Sequence, residues 1–109
     1  MANINYNGEQ YDVVFNLNVM EKIQEEYGSI EAWGNLTEGE EPNAKAIKFG
    51  FTEMINEGID IYNEEHEDAP RKRFTTSQIG RIISNIGLET AANAISNTVV
   101  ESTKSDEKN

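Results

Sequence analysis

The chain has 109 residues, 37% of them hydrophobic and 27% charged, and nine Lys and Arg stand against twenty Asp and Glu for a net charge of −11. That length holds one domain with one modest core and no separate catalytic domain, while a field of that sign repels phosphate backbones and disfavours nucleic-acid binding. There is no cysteine, which excludes a disulfide framework, a thiolate nucleophile and any cysteine-ligated zinc or iron–sulfur site.

The segment Met1-Ala2-Asn3-Ile4-Asn5-Tyr6 has neither the basic stretch nor the apolar run of a signal peptide. No window approaches the roughly 20 apolar residues of a membrane span. Asn7-Gly8 lies between Ile4-Asn5-Tyr6 and Glu9-Gln10-Tyr11-Asp12-Val13, the pattern of a hairpin closed by a type I′ turn, because both turn residues tolerate positive φ. That register pairs Tyr6 with Glu9 and Ile4 with Tyr11. It puts Ile4, Tyr6, Tyr11 and Val13 on one face, so a hairpin over about residues 2–14 should lie on helices.

A first helix is expected from Asn16 or Asn18, where Asn18 and Glu21 have capping-box spacing. Its apolar positions are Leu17, Met20, Ile23 and Tyr27, and Gly28 closes it. Ser29 caps a short piece, Ile30 to Trp33, that Gly34 ends. After a Gly- and Glu-rich loop over Asn35 to Asn43, a central helix should run from about Asn43 to about Tyr62, with Ala44, Ile47, Phe51, Met54, Ile55, Gly58 and Ile59 as its stripe. Gly58 on that stripe predicts a close helix crossing. Asn63 to Arg73 reads as an exposed loop. Thr75 with Gln78 opens a fourth helix on Ile79, Ile82, Ile83 and Ile86, and past Gly87 a last helix carries Leu88, Ala91, Ala92, Ile95 and Val99. The whole predicts a mainly α fold: a single domain over residues 1–100, four to five helices with the hairpin packed on them, followed by a disordered polar tail at 101–109.

Residues that carry chemistry are sparse. His66 is the only histidine and lies in Glu64-Glu65-His66-Glu67-Asp68. That run lacks the spaced, Gly-centred order of a calcium loop and reads as a hydrophilic loop with no metal. Glu53, Glu57, Asp60 and Glu64 share a helix side opposite the apolar stripe and should face water, a poor setting for acid–base catalysis. No glycine begins a phosphate-binding loop. These features predict no enzyme and no cofactor. Arg71-Lys72-Arg73 is the only basic run; it could grip an acidic partner or nucleic acid, but pairing with the preceding Glu64 to Asp68 is the preferred reading. Phe49 falls roughly 150° from the middle of the stripe, which makes it an outward anchor for a partner. Trp33, the only tryptophan, fits a core plug better than an interface anchor. The partner-binding candidates are therefore Phe49, Glu53, Trp33, Arg71 and Arg73.

Three stretches carry a likeness: Asn18-Val19-Met20-Glu21-Lys22-Ile23-Gln24-Glu25-Glu26-Tyr27-Gly28-Ser29-Ile30-Glu31-Ala32-Trp33, Phe51-Thr52-Glu53-Met54-Ile55-Asn56-Glu57-Gly58-Ile59-Asp60, and Arg73-Phe74-Thr75 through Gly87-Leu88. With the hairpin-like start they make the chain resemble the tail assembly chaperones of long-tailed, siphovirus-type phages and prophages of Gram-positive bacteria. The resemblance implies a protein that binds the tape-measure protein, keeps it soluble and recruits tail-tube protein in the host cytoplasm, and that is absent from the mature virion. It also implies a longer frameshifted product, for which an adenine run coding Glu107-Lys108-Asn109 is expected. Self-association is compatible with the role. Two other readings stand beside it: a DNA-mimicking inhibitor of a host protein, which the charge supports, and a small head–tail connector component.

Overall fold

The computed structural model describes residues 3–107. Among them, strands β1 (Asn3–Tyr6) and β2 (Glu9–Asp12) precede helices α1 (Leu17–Tyr27), α2 (Ile30–Thr37), α3 (Ala44–Glu65), α4 (Thr76–Ile86) and α5 (Leu88–Glu107). The fold is mainly helical with an N-terminal antiparallel hairpin, as the periodicities predict.

The hairpin forms in the expected register, Tyr6 opposite Glu9 and Ile4 opposite Tyr11. Asn7 and Gly8 both have positive φ, 52° and 79°, as a type I′ turn requires. Ile4, Tyr11 and Val13 are buried while Asn3, Asn5, Gln10 and Asp12 are exposed.

Helix α3 is the axis of the molecule, packed against β2, α1, α2, α4 and α5. It is capped by Asn43, whose side chain accepts from the Ala46 amide at 2.9 Å, and it reaches Glu65 instead of ending near Tyr62. Its buried surface is broader than one stripe. Ala46, Gly50, Thr52 and Asn56 join Ile47, Phe51, Met54, Ile55, Gly58 and Ile59 inside, while Ala44 is exposed. The reason is enclosure from several directions at once. Trp33 of α2 fills one side: its indole N–H donates to the Ala46 carbonyl at 2.9 Å, and its ring occupies the space a side chain at Gly50 would take. The chain between β2 and α1 crosses another side, where the Val14 amide donates to the Met54 carbonyl at 3.2 Å. Gly58 does mark a close crossing, but of backbone: a Cβ there would stand 2.3 Å from the Asp12 carbonyl oxygen, so the crossing element is the end of β2 and not a helix.

The segment leading into α4 is tied down by two asparagines of α3. Asn56 donates to the Phe74 carbonyl at 2.9 Å and accepts from the Phe74 amide at 2.8 Å. Asn63 does the same for Arg71, at 2.9 Å and 2.8 Å. Each carboxamide stands in for a neighbouring strand, which satisfies main-chain groups that would otherwise be orphaned. The exposed loop expected over Asn63 to Arg73 is found over His66 to Pro70, whereas its start belongs to α3 and its end is a strap bound along that helix. It delivers Phe74 edge-on to Tyr6 and Tyr11, with centroids 5.9 Å and 5.2 Å apart.

The remaining expectations hold in part. Helix α1 is capped by Asn16, while Asn18 lies in its first turn. Asn16 and Asn18 both donate to Glu57 Oε2, at 2.7 Å and 3.0 Å. These bonds fix the roll of α1, so Val19 and Ile23 are buried and Leu17 stands 78% exposed. Helix α2 runs through Gly34 to Thr37, whose hydroxyl donates back to the Gly34 carbonyl at 2.8 Å. The Thr75–Gln78 capping box forms as expected on α4. On α5, Ala91, Ile95 and Thr98 are buried whereas Leu88 is 38% exposed. Finally, α5 continues through Glu107 where a disordered tail was expected. Adding one hydrogen bond per residue to an existing helix is cheap, and Glu101, Lys104 and Glu107 are good helix formers. Residues 108–109, like 1–2, lie outside the described part.

Gly34 has nothing within 4 Å of an added Cβ, in contrast to Gly58. Gly34→Ala should therefore raise stability by up to about 1 kcal/mol, and Gly58→Ala should lower it by about 1–3 kcal/mol because backbone must move. Urea unfolding followed by circular dichroism reads both, and a stabilised Gly58→Ala would contradict the packing. Asn56→Ala strands two main-chain groups under a buried side chain and should cost about 1–3 kcal/mol in the same measurement.

Candidate partner-binding site

The five residues nominated from sequence do not converge. Trp33 is buried, 2% exposed, with its N–H already bonded, so it is the core plug. Phe49 is not outward: it is partly buried against the core, and its ring packs edge-on to Tyr27 at the end of α1 with centroids 5.6 Å apart. Arg71 is held by its own fold. Its guanidinium lies 4.0 Å from the Tyr62 ring centroid and 4.7 Å from that of Tyr11, and its Nη1 donates to the Gln10 carbonyl at 3.0 Å. Cation–π contact on two rings plus a carbonyl bond joins strap, α3 and hairpin. Tyr62 in turn stacks on His66, 3.9 Å and 9° from parallel, and His66 Nδ1 lies 2.9 Å from the Tyr62 carbonyl. The basic run therefore does not neutralise Glu64 to Asp68 as expected. Arg71 goes to aromatic faces, and Arg73 reaches Asp60 on α3, Nε to Oδ1 3.6 Å.

Glu53 and Arg73 do come together, in a shallow concavity of about 250 Å³ between α1 and α3 that also includes Glu21, Lys22, Glu57 and Asp60. Four carboxylates and two cations make it a polar, net acidic surface. The Arg73–Asp60 pair is about half exposed on both sides, and such a pair contributes little to stability. Glu53, Glu57 and Asp60 are half-buried, less open than their position opposite the apolar stripe implies. This is because Asn16, Asn18 and Arg73 come over them.

A larger cleft, about 610 Å³, was not nominated by any residue. It lies between the loop after α2 and the first turns of α5. Pro42, Leu88 and Ala92 supply apolar wall, and Glu38, Glu40 and Glu89 stand at its sides. Among the described residues no Lys or Arg lines it. The sequence signal was present but read otherwise: Leu88 was counted as core, and the Gly- and Glu-rich loop as connector. Among the described residues no group of three or more His, Asp or Glu side chains is arranged to hold a metal, and no helix is long and apolar enough to cross a membrane.

One polar group is oddly placed. The Tyr27 hydroxyl is shielded from water and has no hydrogen-bond partner among the described residues. Burial, and then the charge of Glu26, pushes its pKa above the ordinary 10. Tyr11 is raised too, by burial and by its 2.7 Å bond to Glu9. Both groups resist ionising when folded. The penalty on their ionised forms is therefore not felt below about pH 10, and stability is lost as pH climbs from there through the raised folded values. Tyr27→Phe should be neutral or stabilising at pH 7, since it removes an unpaired hydroxyl, and it should flatten the alkaline loss of stability. Urea midpoints at pH 7 and pH 10.5 measure both effects, and a clear loss at pH 7 would mean the hydroxyl has a partner after all. No protein-family model, no curated protein and no solved structure matches the chain.

Proposed function

We propose that the chain is a phage tail assembly chaperone that binds the tape-measure protein in the host cytoplasm, keeps it soluble and helps recruit tail-tube protein, without entering the virion. The reading rests on the resemblance in the segments ending at Trp33, Asp60 and Leu88. The single structural observation that supports it best is the acid-flanked cleft between the α2–α3 loop and α5, with Leu88, Ala92 and Pro42 along it.

A tape-measure protein is a long helical chain with apolar patches. An apolar strip of such a helix, flanked by Lys or Arg, matches a cleft with an apolar wall and carboxylates at its sides, the helix-in-groove mode of recognition. The charge of −11 supplies repulsion between coated chains and hence solubility. A modest cleft also keeps the grip reversible, as a factor that departs before the virion is finished requires.

Co-expression with the tape-measure protein encoded by the neighbouring gene tests the reading. The tape-measure protein should move from pellet to supernatant only when this chain is present. Leu88→Asp, at a 38% exposed position in the first turn of α5, where a carboxylate suits the helix N-terminus, should abolish the shift while circular dichroism shows the helices retained. Equal insolubility with and without the wild-type chain would end the proposal.

A further inference from the structure

The two outer edges of the hairpin are treated differently by the rest of the fold. In a two-residue hairpin the residues beside the turn exchange both main-chain bonds, and the pairs then alternate along the strands. From the observed register, Tyr6–Glu9 and Ile4–Tyr11 bond inward. Asn3 and Asn5 on β1, and Gln10 and Asp12 on β2, turn their amides and carbonyls outward. On β2 this edge is covered by the fold: Arg71 donates to the Gln10 carbonyl, and the Asp12 carbonyl lies against Gly58 of α3. On β1 nothing comparable among the described residues lies over the edge. Asn3 and Asn5 are exposed, and none of the hydrogen bonds among the described residues reaches their outward main chain. The guards that commonly blunt an open edge, a lysine, a proline or a bulge, are missing from Asn3-Ile4-Asn5-Tyr6.

We propose that the outer edge of β1 pairs antiparallel with the β1 edge of a second copy of this chain, about a two-fold axis at Ile4. In that register Asn3 of each copy lies opposite Asn5 of the other, and each such pair exchanges two main-chain bonds. Ile4 meets Ile4 across the axis at the closer, non-bonded position, and the Asn3 and Asn5 carboxamides face one another, donor to acceptor.

Charge selects this patch for a contact between copies. Two copies carrying −11 each repel over most of their surfaces, whereas Asn3 to Gly8 contains no charged residue. The contact is also closed. The resulting four-strand sheet ends on both sides in β2, whose outer edge Arg71 and α3 already cover, so pairing stops at a dimer and does not propagate into a fibre. A stable interface buries about 1,600 Å², more than a four-residue edge can supply alone, so the dimer is a weak one. Because like charges oppose it, added salt strengthens it. This pairing does not depend on what the cleft of α5 binds.

Sedimentation velocity and amide NMR on the whole chain, from about 10 μM to about 1 mM, test it. Mass should rise from monomer toward dimer, more so in added salt, and the amides of Asn3 and Asn5 should shift with concentration. Asn5→Pro removes an edge donor but no β1–β2 bond, and should weaken association about tenfold or more while the fold persists. Should that variant not fold, the Asn3→Glu/Asn5→Glu pair places carboxylates opposite carboxylates and should be monomeric. Asn3→Glu/Asn5→Lys, which sets opposite charges across the same register, should dimerise at least as well as the parent. A parent that stays monomeric at about 1 mM, association that survives both disrupting variants, or shifts confined to another surface would each overturn the proposal, as would an edge taken only by extended segments of other proteins.

Discussion

A helix enclosed from several sides in a small chain imposes one constraint on all that surrounds it: irregular backbone laid against it must find hydrogen bonds where water is excluded. α3 meets this constraint with two kinds of residue. Asn56 and Asn63 stand seven positions apart, about two turns, on one side. Each offers a carboxamide that bonds like a peptide group to the strap at Phe74 and Arg71. Gly50 and Gly58 do the reverse job. They remove side chains so that the Trp33 ring and the Asp12 carbonyl can approach closely. The hairpin sits where it does because Gly58 admits it and the Met54 carbonyl takes the Val14 amide. The Arg71 stack on Tyr11 and Tyr62 exists because both hairpin and strap are already in place.

That division of labour decides which residues remain for partners. Trp33, Phe49 and Arg71, three conspicuous side chains in the sequence, are engaged in closing the fold around α3. What is left outside is of a different character: an acid-flanked cleft beside α5, a polar concavity at Glu53 and Arg73, and the uncovered edge of β1. The proposed chaperone role draws on the first and the proposed self-pairing on the last, so the two do not compete for the same atoms.

Elements that rest on neighbouring residues were legible in the sequence. Asn7-Gly8 with period-2 alternation gave the hairpin and its register. Thr75 with Gln78 gave the start of α4, and the isoleucines at 79, 82 and 83 gave its buried face. What failed depended on partners distant in sequence. The phase of α1 is set by Asn16 and Asn18 reaching Glu57, thirty-nine and more positions away, so Leu17 could not be told from Val19 by periodicity alone. Phe49 lies off the main stripe of α3, and only the presence of Tyr27 over it makes that side interior. The basic run was matched to the nearest acids, but Arg71 finds aromatic faces instead, a choice that needs Tyr11 brought across sixty positions to meet it. Gly34 was read as a stop, yet it carries helical backbone, because the docked Trp33 and the Thr37 hydroxyl hold the turn on either side of it.

The same charge acts differently on the two proposed contacts. Potentials at physiological ionic strength reach about 8 Å from a surface, a third of the shortest 23 Å dimension of the molecule, so two anionic copies feel each other mainly as they touch. Their contact must then use a patch free of carboxylates, which main-chain bonding at an uncharged strand edge provides. A basic helix is attracted to nearly the whole surface, and attraction of that kind speeds encounter without choosing a site. Choice comes from where apolar surface is left open. In a chain that is 37% hydrophobic, most of that surface is consumed around α3, so the few large apolar residues left exposed, Leu17 and Val100 as well as Leu88 beside the cleft, carry more of the discrimination than their area suggests.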